Sequence, residues 1–214
     1  MRYFISILLI LMPLLSYGQS CKKYYDSAAY CLESGRYPLG IEIAKKALSS
    51  AEAELAENDT NYLKIITVTH RLFDYSRNME KALEYGRLDS TLRAKYQGVD
   101  HPDYACTIRN LAETYRDLDS LDLAEELAIN SIEVLRKTTG TDNIEYAKAL
   151  NIRGLISKDK KNFKLADSLF EKAISICERN DFEDERICSY FYSNLSYVRE
   201  RFGYQESAGE LLRK

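Results

Sequence analysis

The 214-residue chain has no tryptophan, only three prolines and nine glycines, two histidines and five cysteines. So few turn-formers argue against an all-β chain. There is no excess of positive charge either. The formal net charge is −3, which leaves no footprint for non-specific nucleic-acid binding. Sequence patterns that carry chemistry are missing: no GxGxxG, no GxxxxGK[ST], no HExxH and no GxSxG. The cysteines are odd in number and show neither CxxC nor Cys/His spacing, so no zinc site is expected. His70 and His101 have no partner constellation around them in sequence. The expectation is therefore a non-enzyme with no metal and no cofactor.

One segment stands apart. Arg2 is the only charged residue in "MRYFISILLILMPLLSYGQS", and Phe4 to Leu15 is a largely apolar run of twelve. That is too short to span a bilayer comfortably and suits the apolar core of a secretory signal. Ser16 and Gly18 place small residues at −3 and −1 of a cut before Gln19. Residues 1–18 are read as a signal peptide. The remainder is read as exported, periplasmic or extracellular, without a membrane span. A lipid anchor on Cys21 is the rival reading. Ser20 before it fits, but Gly18 stands where lipoprotein signals want an aliphatic residue. Export would permit a disulfide, with Cys177 and Cys188 the best placed pair across a turn. The plainer expectation for all five is buried free thiols.

What the chain does have is an internal repeat of 42 residues. Ala28, His70, Ala112, Gly154 and Ser196 form one column, and Gly40, Ala82, Ala124, Ala166 and Ala208 another. Apolar columns run beside them: Tyr24, Ile66, Ile108, Leu150 and Tyr192, then Tyr37, Met79, Leu121 and Phe163. Fixed self-similarity of this length signals stacked repeats. Within a unit the spacing is helical. Ile108, Leu111, Ala112 and Tyr115 share one face, and Ala124, Leu127, Ala128 and Ser131 share another. The short polar "RDLDS" between them favours antiparallel neighbours, called helix A and helix B below. Asp100 and Asp142 are expected as N-caps of A helices, with Glu145 completing a capping box, and Ser120 as N-cap of a B helix. Gly98 and Gly140 suit left-handed helix stops. Small columns let the two helices of a pair approach. His70, in such a column, is expected at the edge of a widened pair.

These columns resemble the tetratricopeptide repeat, and "HPDYA" with the 42-residue period is similar to its kinesin-light-chain-type subfamily. The resemblance covers about residues 21 to 214. It is weakest in the second repeat, where Arg77 replaces the usual turn glycine and His70 and Asp89 replace small residues. It implies an all-α, right-handed α-solenoid of antiparallel helix pairs over 19–214. Its five repeats would be 21–60, 61–102, 103–144, 145–186 and an incomplete 187–214. An incomplete last repeat would leave Leu211 and Leu212 uncovered, so the expectation is a self-associating end, a covering partner, or a truncated relative of a longer protein.

The resemblance also implies that the A helices line a concave, partner-binding wall. The candidate groove is Lys64, Arg71, Arg109, Asn110, Lys148, Asn151, Asn194 and Tyr197, with Glu113 and Tyr190 beside it. The asparagine amides can serve a peptide backbone, and the basic residues outnumber Glu113. A Lys/Asn clamp for chaperone tails is not supplied, since Tyr25 and Ala29 stand where its first Lys and Asn would be. The expected function is an exported interaction scaffold that binds an extended, acidic protein segment. The alternative is the extracytoplasmic repeat part of a sensor or an envelope assembly factor.

Overall fold

The computed structural model describes residues 21–180 and 185–201. The signal segment and the end of the fifth repeat, with Ala208, Leu211 and Leu212, lie outside them. The chain divides into two compact units, Met1–Tyr96 and Gln97–Lys214. The described residues of both are helices joined by short turns.

The first unit holds α1 (21–33), α2 (Tyr37–Glu54), α3 (Thr60–Tyr75) and α4 (Met79–Tyr96). Ala28, Ala44, Val68 and Leu72 form one buried cluster, and Cys21, Ala47, Leu48, Ala51, Leu63, Ile65, Ile66 and Leu92 another. Gly40 shows why the second small column exists. A Cβ there would lie 2.5 Å from Leu72 Cδ2 and 3.0 Å from Cys31 Cβ. The weak second repeat carries a buried polar network in place of small residues. Arg93 Nε donates to Asp89 Oδ1 at 2.8 Å, and the Thr67 hydroxyl donates to Asp89 Oδ2 at 2.7 Å. Burying an acid is tolerable here because its charge is paired and its oxygens are hydrogen-bonded. His70 is not at an edge but fully buried, and burial first, then Arg71, lowers its pKa to about 3. The imidazole is neutral in the fold.

The second unit holds α5 (Pro102–Asp117), α6 (Leu121–Thr138), α7 (Ile144–Asp159), α8 (Phe163–Arg179) and α9 (Glu185–Arg201). Here α5 pairs with α6 and α7 with α8, and α9 packs on α8 and α7. Their core is continuous, from Ala105 through Leu135, Ile156 and Phe170 to Phe191, Leu195 and Val198. Ala112, Ala124 and Ala166 are fully buried, and a Cβ on Gly154 would stand 2.5 Å from the Phe170 ring.

The four A–B turns among the described residues close in the same way. The N–H donors of Arg36, Asn78, Ser120 and Asn162 reach the carbonyls of Cys31, Phe73, Tyr115 and Ser157 at 2.8–3.0 Å. This is a Schellman closure, and it demands a left-handed residue one position earlier. Gly35 supplies it at φ 72°, but Arg77, Asp119 and Lys161 occupy the same place at φ 64°, 58° and 65°. Gly98 and Gly140 are left-handed as expected.

The A-helix caps fall one residue later than the aspartates. His101 Nδ1 accepts from Asp103 N–H at 3.1 Å, and Asn143 Oδ1 accepts from Tyr146 N–H at 3.0 Å. Asp142 is held instead by Arg179 and Asn180 at the end of α8, each at 2.9 Å. Ser120 is the N-cap residue of α6, but its side chain makes no capping bond.

The expectation of free thiols fails for one pair. Cys177 and Cys188 form a disulfide with Cα atoms 6.0 Å apart, tying the end of α8 to the start of α9. Cys21, Cys31 and Cys106 are free. No described helix is long and apolar enough to cross a membrane.

Candidate functional site

The helical period puts the predicted groove residues on A helices of both units. In the first unit Lys64 and Arg71 lie on α3. Lys64 is exposed, whereas Arg71 is half-buried with its guanidinium over the Tyr75 ring at 4.8 Å. In the second unit Arg109 and Asn110 lie on α5, Lys148 and Asn151 on α7, and Asn194 and Tyr197 on α9.

The second unit links Arg109 with Asn110 and, through Glu145, with Lys148, and it links Asn151 with Asn194, but not as a row of free donors. Arg109 is buried and donates to the Glu145 carboxylate, while Lys148 Nζ reaches the other oxygen of that carboxylate at 2.8 Å. Burial alone would raise the Glu145 carboxyl. Arg109 and Lys148 outweigh it and hold the pKa at about 2. The same pattern continues toward the other ends of these helices. Arg116 meets Asp117 at 2.9 Å and Asp159 at 3.2 Å, and Lys158 meets Asp159 at 3.4 Å. Arg109, Arg116, Lys148 and Lys158 therefore each have a carboxylate beside them. The expected surplus of positive charge is absent from this unit because Glu145, read from sequence as a capping residue, points its charge at Arg109.

The asparagines are likewise committed to the fold. Asn110 and Asn151 are 4% and 2% exposed. Asn110 Oδ1 accepts from Arg109, and Asn151 Oδ1 accepts from Asn194 Nδ2 at 2.9 Å. Asn151 and Asn194 join neighbouring A helices, and Asn110 bonds within α5, so the three do not offer a row of amides to a peptide. What stays open is aromatic. Tyr190 and Tyr197 on α9 are 48% and 54% exposed. Lys158 lies 5.4 Å from the Tyr197 ring centroid. Glu113 and Arg116 of α5 act electrostatically on Tyr190, whose pKa is raised, by burial first. The exposed face of this unit thus runs from α5 across α7 to α9.

The thiol on this face is kept protonated. Burial pushes the Cys106 pKa up to about 11, and its Sγ lies 3.4 Å from Glu145 Oε2. Among the described residues, no group of three His, Cys, Asp or Glu is placed to hold a metal ion.

A repeated antiparallel helix pair with a small-residue seam and a shared turn closure defines an α-helical repeat array. The particular repeat follows from comparison. Residues 103–179 match the tetratricopeptide repeat family model. Solved structures share the fold over most of the chain. One is a protein of Podosopora anserina assigned as a kinesin light chain, with nearly identical TPR-like repeats. It is 16% identical with a TM-score of 0.68, covering 90% of this chain and 91% of that one. Another is BtubC (BKLC) from P. vanneervenii, at 18% identity and a TM-score of 0.70, covering 94% and 87%. A third is a Rap protein complexed with Competence and Sporulation Factor, at 16% identity and a TM-score of 0.81, covering 90% of this chain and 51% of that one. Comparison with curated proteins gives no match.

Proposed function

We infer that this protein is an exported protein–protein interaction scaffold. It holds an extended segment of another protein against the α5, α7 and α9 face of the second unit. The observation that carries the reading is the pair of half-exposed tyrosines, Tyr190 and Tyr197, on a surface whose other large groups are already paired. Aromatic side chains in such settings supply contact area at low entropic cost. A Rap protein of the same fold holds a bound factor, which supports a binding role for this class of surface.

The acidic preference expected from sequence is not carried over to this unit, where the cations Arg109, Arg116, Lys148 and Lys158 each meet a carboxylate. Export is supported by the short apolar leader and by the Cys177–Cys188 disulfide, since disulfides persist in oxidising compartments. Cys21 is 2% exposed within the first unit's core, which favours the soluble form over the lipid-anchored one.

Capture from extracts of the native source tests the role. A protein retained by the parent chain and lost with the Tyr190→Ala/Tyr197→Ala double variant supports it. Equal retention by both chains sinks it. N-terminal sequencing of native material tests export, with Gln19 the expected first residue.

A further inference from the structure

We propose that the second unit holds a binding site for a small monocarboxylic acid with an apolar body, in a pocket between α7 and α8. The site shares no residue with the α5, α7 and α9 face and stands apart from the docking role inferred above.

A pocket of about 310 Å³ is lined by the last two turns of α8, the first half of α7 and the loop before it. Small-ligand sites begin at about this size. Its floor is apolar. Leu150 and Ile176 are buried, and the half-buried Tyr146 lines the pocket with them. Its rim is polar. Lys172, Ser175 and Arg179 follow one another at helical spacing on one face of α8, and Thr141 completes the rim from the loop.

The charges on that rim do not cancel. Arg179 donates from Nε and Nη2 to Asp142 Oδ1 at 3.3 and 2.9 Å, and from Nη1 to the Ser175 hydroxyl oxygen at 2.7 Å. Further N–H groups of the guanidinium remain, since arginine carries about five. Lys172 is exposed and, among the described residues, makes no ion pair. One positive charge is therefore left over.

The repeat period shows that this is particular to the fourth repeat. One period earlier Asn130, Glu133 and Lys137 stand in place of Lys172, Ser175 and Arg179, and two periods earlier Leu88, Thr91 and Lys95. The floor is kept, as Tyr104, Ile108 and Val134 and then as Tyr62, Ile66 and Leu92. In the second repeat Glu57 stands where Thr141 does, and it accepts from Lys95 at 3.3 Å and from the Tyr96 hydroxyl at 2.7 Å. In the third, Glu133 brings an acid to the rim itself. The fourth has a second cation on the rim and a threonine in place of the loop acid.

This chemistry selects the ligand. An unpaired ammonium beside remaining guanidinium N–H groups favours a carboxylate through charge-assisted hydrogen bonds. A single surplus charge matches a monoanion, whereas a phosphate dianion would leave negative charge unmatched next to Asp142. The floor favours an apolar body, and the volume limits it to one the size of an aromatic ring on a short chain.

The test titrates the full mature chain, isotope-labelled for NMR, with hydrocinnamate. Shifts should centre on Tyr146, Lys172, Ser175 and Arg179 and saturate with a Kd of about 1 mM, as suits so small a ligand. Acetate has the charge without the body, and hydrocinnamyl alcohol the body without the charge. Each should bind about tenfold more weakly. Lys172→Gln should weaken hydrocinnamate about tenfold. Lys164→Gln, the same charge change at the exposed start of α8, should weaken it less than about twofold. Raising salt from about 50 mM to 500 mM should weaken the parent more than Lys172→Gln. Lys172 is exposed, so its variant should keep the parent's spectrum away from the pocket. The proposal is overturned if hydrocinnamate does not saturate, if acetate or the alcohol binds equally well, if Lys172→Gln binds like the parent, or if Lys164→Gln loses as much. Tighter binding of phenyl phosphate would overturn the choice of a carboxylate. Tighter binding of an N-blocked peptide ending in a free phenylalanine carboxylate would overturn the choice of a small acid. The Tyr190→Ala/Tyr197→Ala double variant should titrate like the parent, which keeps this test separate from that of the docking face.

Discussion

The Arg109 guanidinium on α5 donates to the carboxylate of Glu145 in the first turn of α7, and that one contact joins successive repeats of the second unit. Arg109 is 7% exposed. A buried guanidinium stays charged, so the carboxylate is what makes its burial tolerable. Glu145→Gln should destabilise the protein by about 1–3 kcal/mol, less than a fully buried pair because solvent reaches the glutamate. Urea unfolding of parent and variant measures it. The sign with pH follows from the lowered pKa. The folded value of about 2 lies below the usual carboxylate value, so the contribution is whole above about pH 4.5 and is lost as pH falls toward 2. An unchanged midpoint for Glu145→Gln would mean that Arg109 finds another partner.

His70 sets a different pH window. Its folded pKa of about 3 is below the ordinary histidine value because burial penalises the imidazolium. As pH falls below about 6.5 the unfolded chain takes up a proton that the folded chain refuses. Stability should then drop by about 1.4 kcal/mol per pH unit until near pH 3. His70→Asn keeps a polar side chain of similar reach without the titration. Between pH 6.5 and 5 the parent should lose stability and the variant should not. Parallel slopes in that interval would show that His70 is not the group responsible.

These two groups also show where the sequence was legible. The 42-residue period, the small columns and the left-handed glycines follow from local rules, and the helices, the buried alanines and the positive φ at Gly98 and Gly140 agree with them. Local rules could not reveal that Glu145 reaches Arg109, because the two are 36 residues apart and meet only when the next A helix stacks. The spacing that could have exposed the contact is the repeat itself, with the first turn of one A helix beside the second turn of the one before. The asparagines misled for the same reason. Asn151 and Asn194 differ by 43 residues, so stacking sets them against each other and not against a ligand. The tyrosines of α9 remain half-exposed, with Lys158 of α7 lying over the Tyr197 ring.

Lys161 offers a test of backbone strain. It occupies the left-handed position of the α7–α8 turn at φ 65°, where the equivalent residue of the first repeat is Gly35. Non-glycine residues pay a steric cost there, partly offset because glycine has more freedom to lose on folding. Lys161→Gly should stabilise the protein by about 0.5–1 kcal/mol, read as a higher urea midpoint with unchanged slope. A lower midpoint would show that the lysine side chain contributes more than its backbone costs.

The last prediction concerns how α9 is held. The Cys177–Cys188 disulfide anchors its first turn. Near its other end Arg199 Nε donates to Asp167 Oδ1 at 2.7 Å and Nη2 to Asp167 Oδ2 at 3.2 Å, with Glu171 alongside. Between these anchors Phe191, Leu195 and Val198 are buried. Closing so short a loop stabilises by about 2–3 kcal/mol in the chain-entropy view. Reduction by a phosphine should therefore act locally. Amides at the start of α9, around Tyr190, should exchange faster with deuterium, while those near Val198 and those of α5 to α7 keep their protection. The exposed tyrosine pair would then lose its fixed spacing at one end only. Uniform loss across the second unit would mean that the disulfide supports the whole stack, and no change at Tyr190 would mean that side-chain packing alone holds the helix.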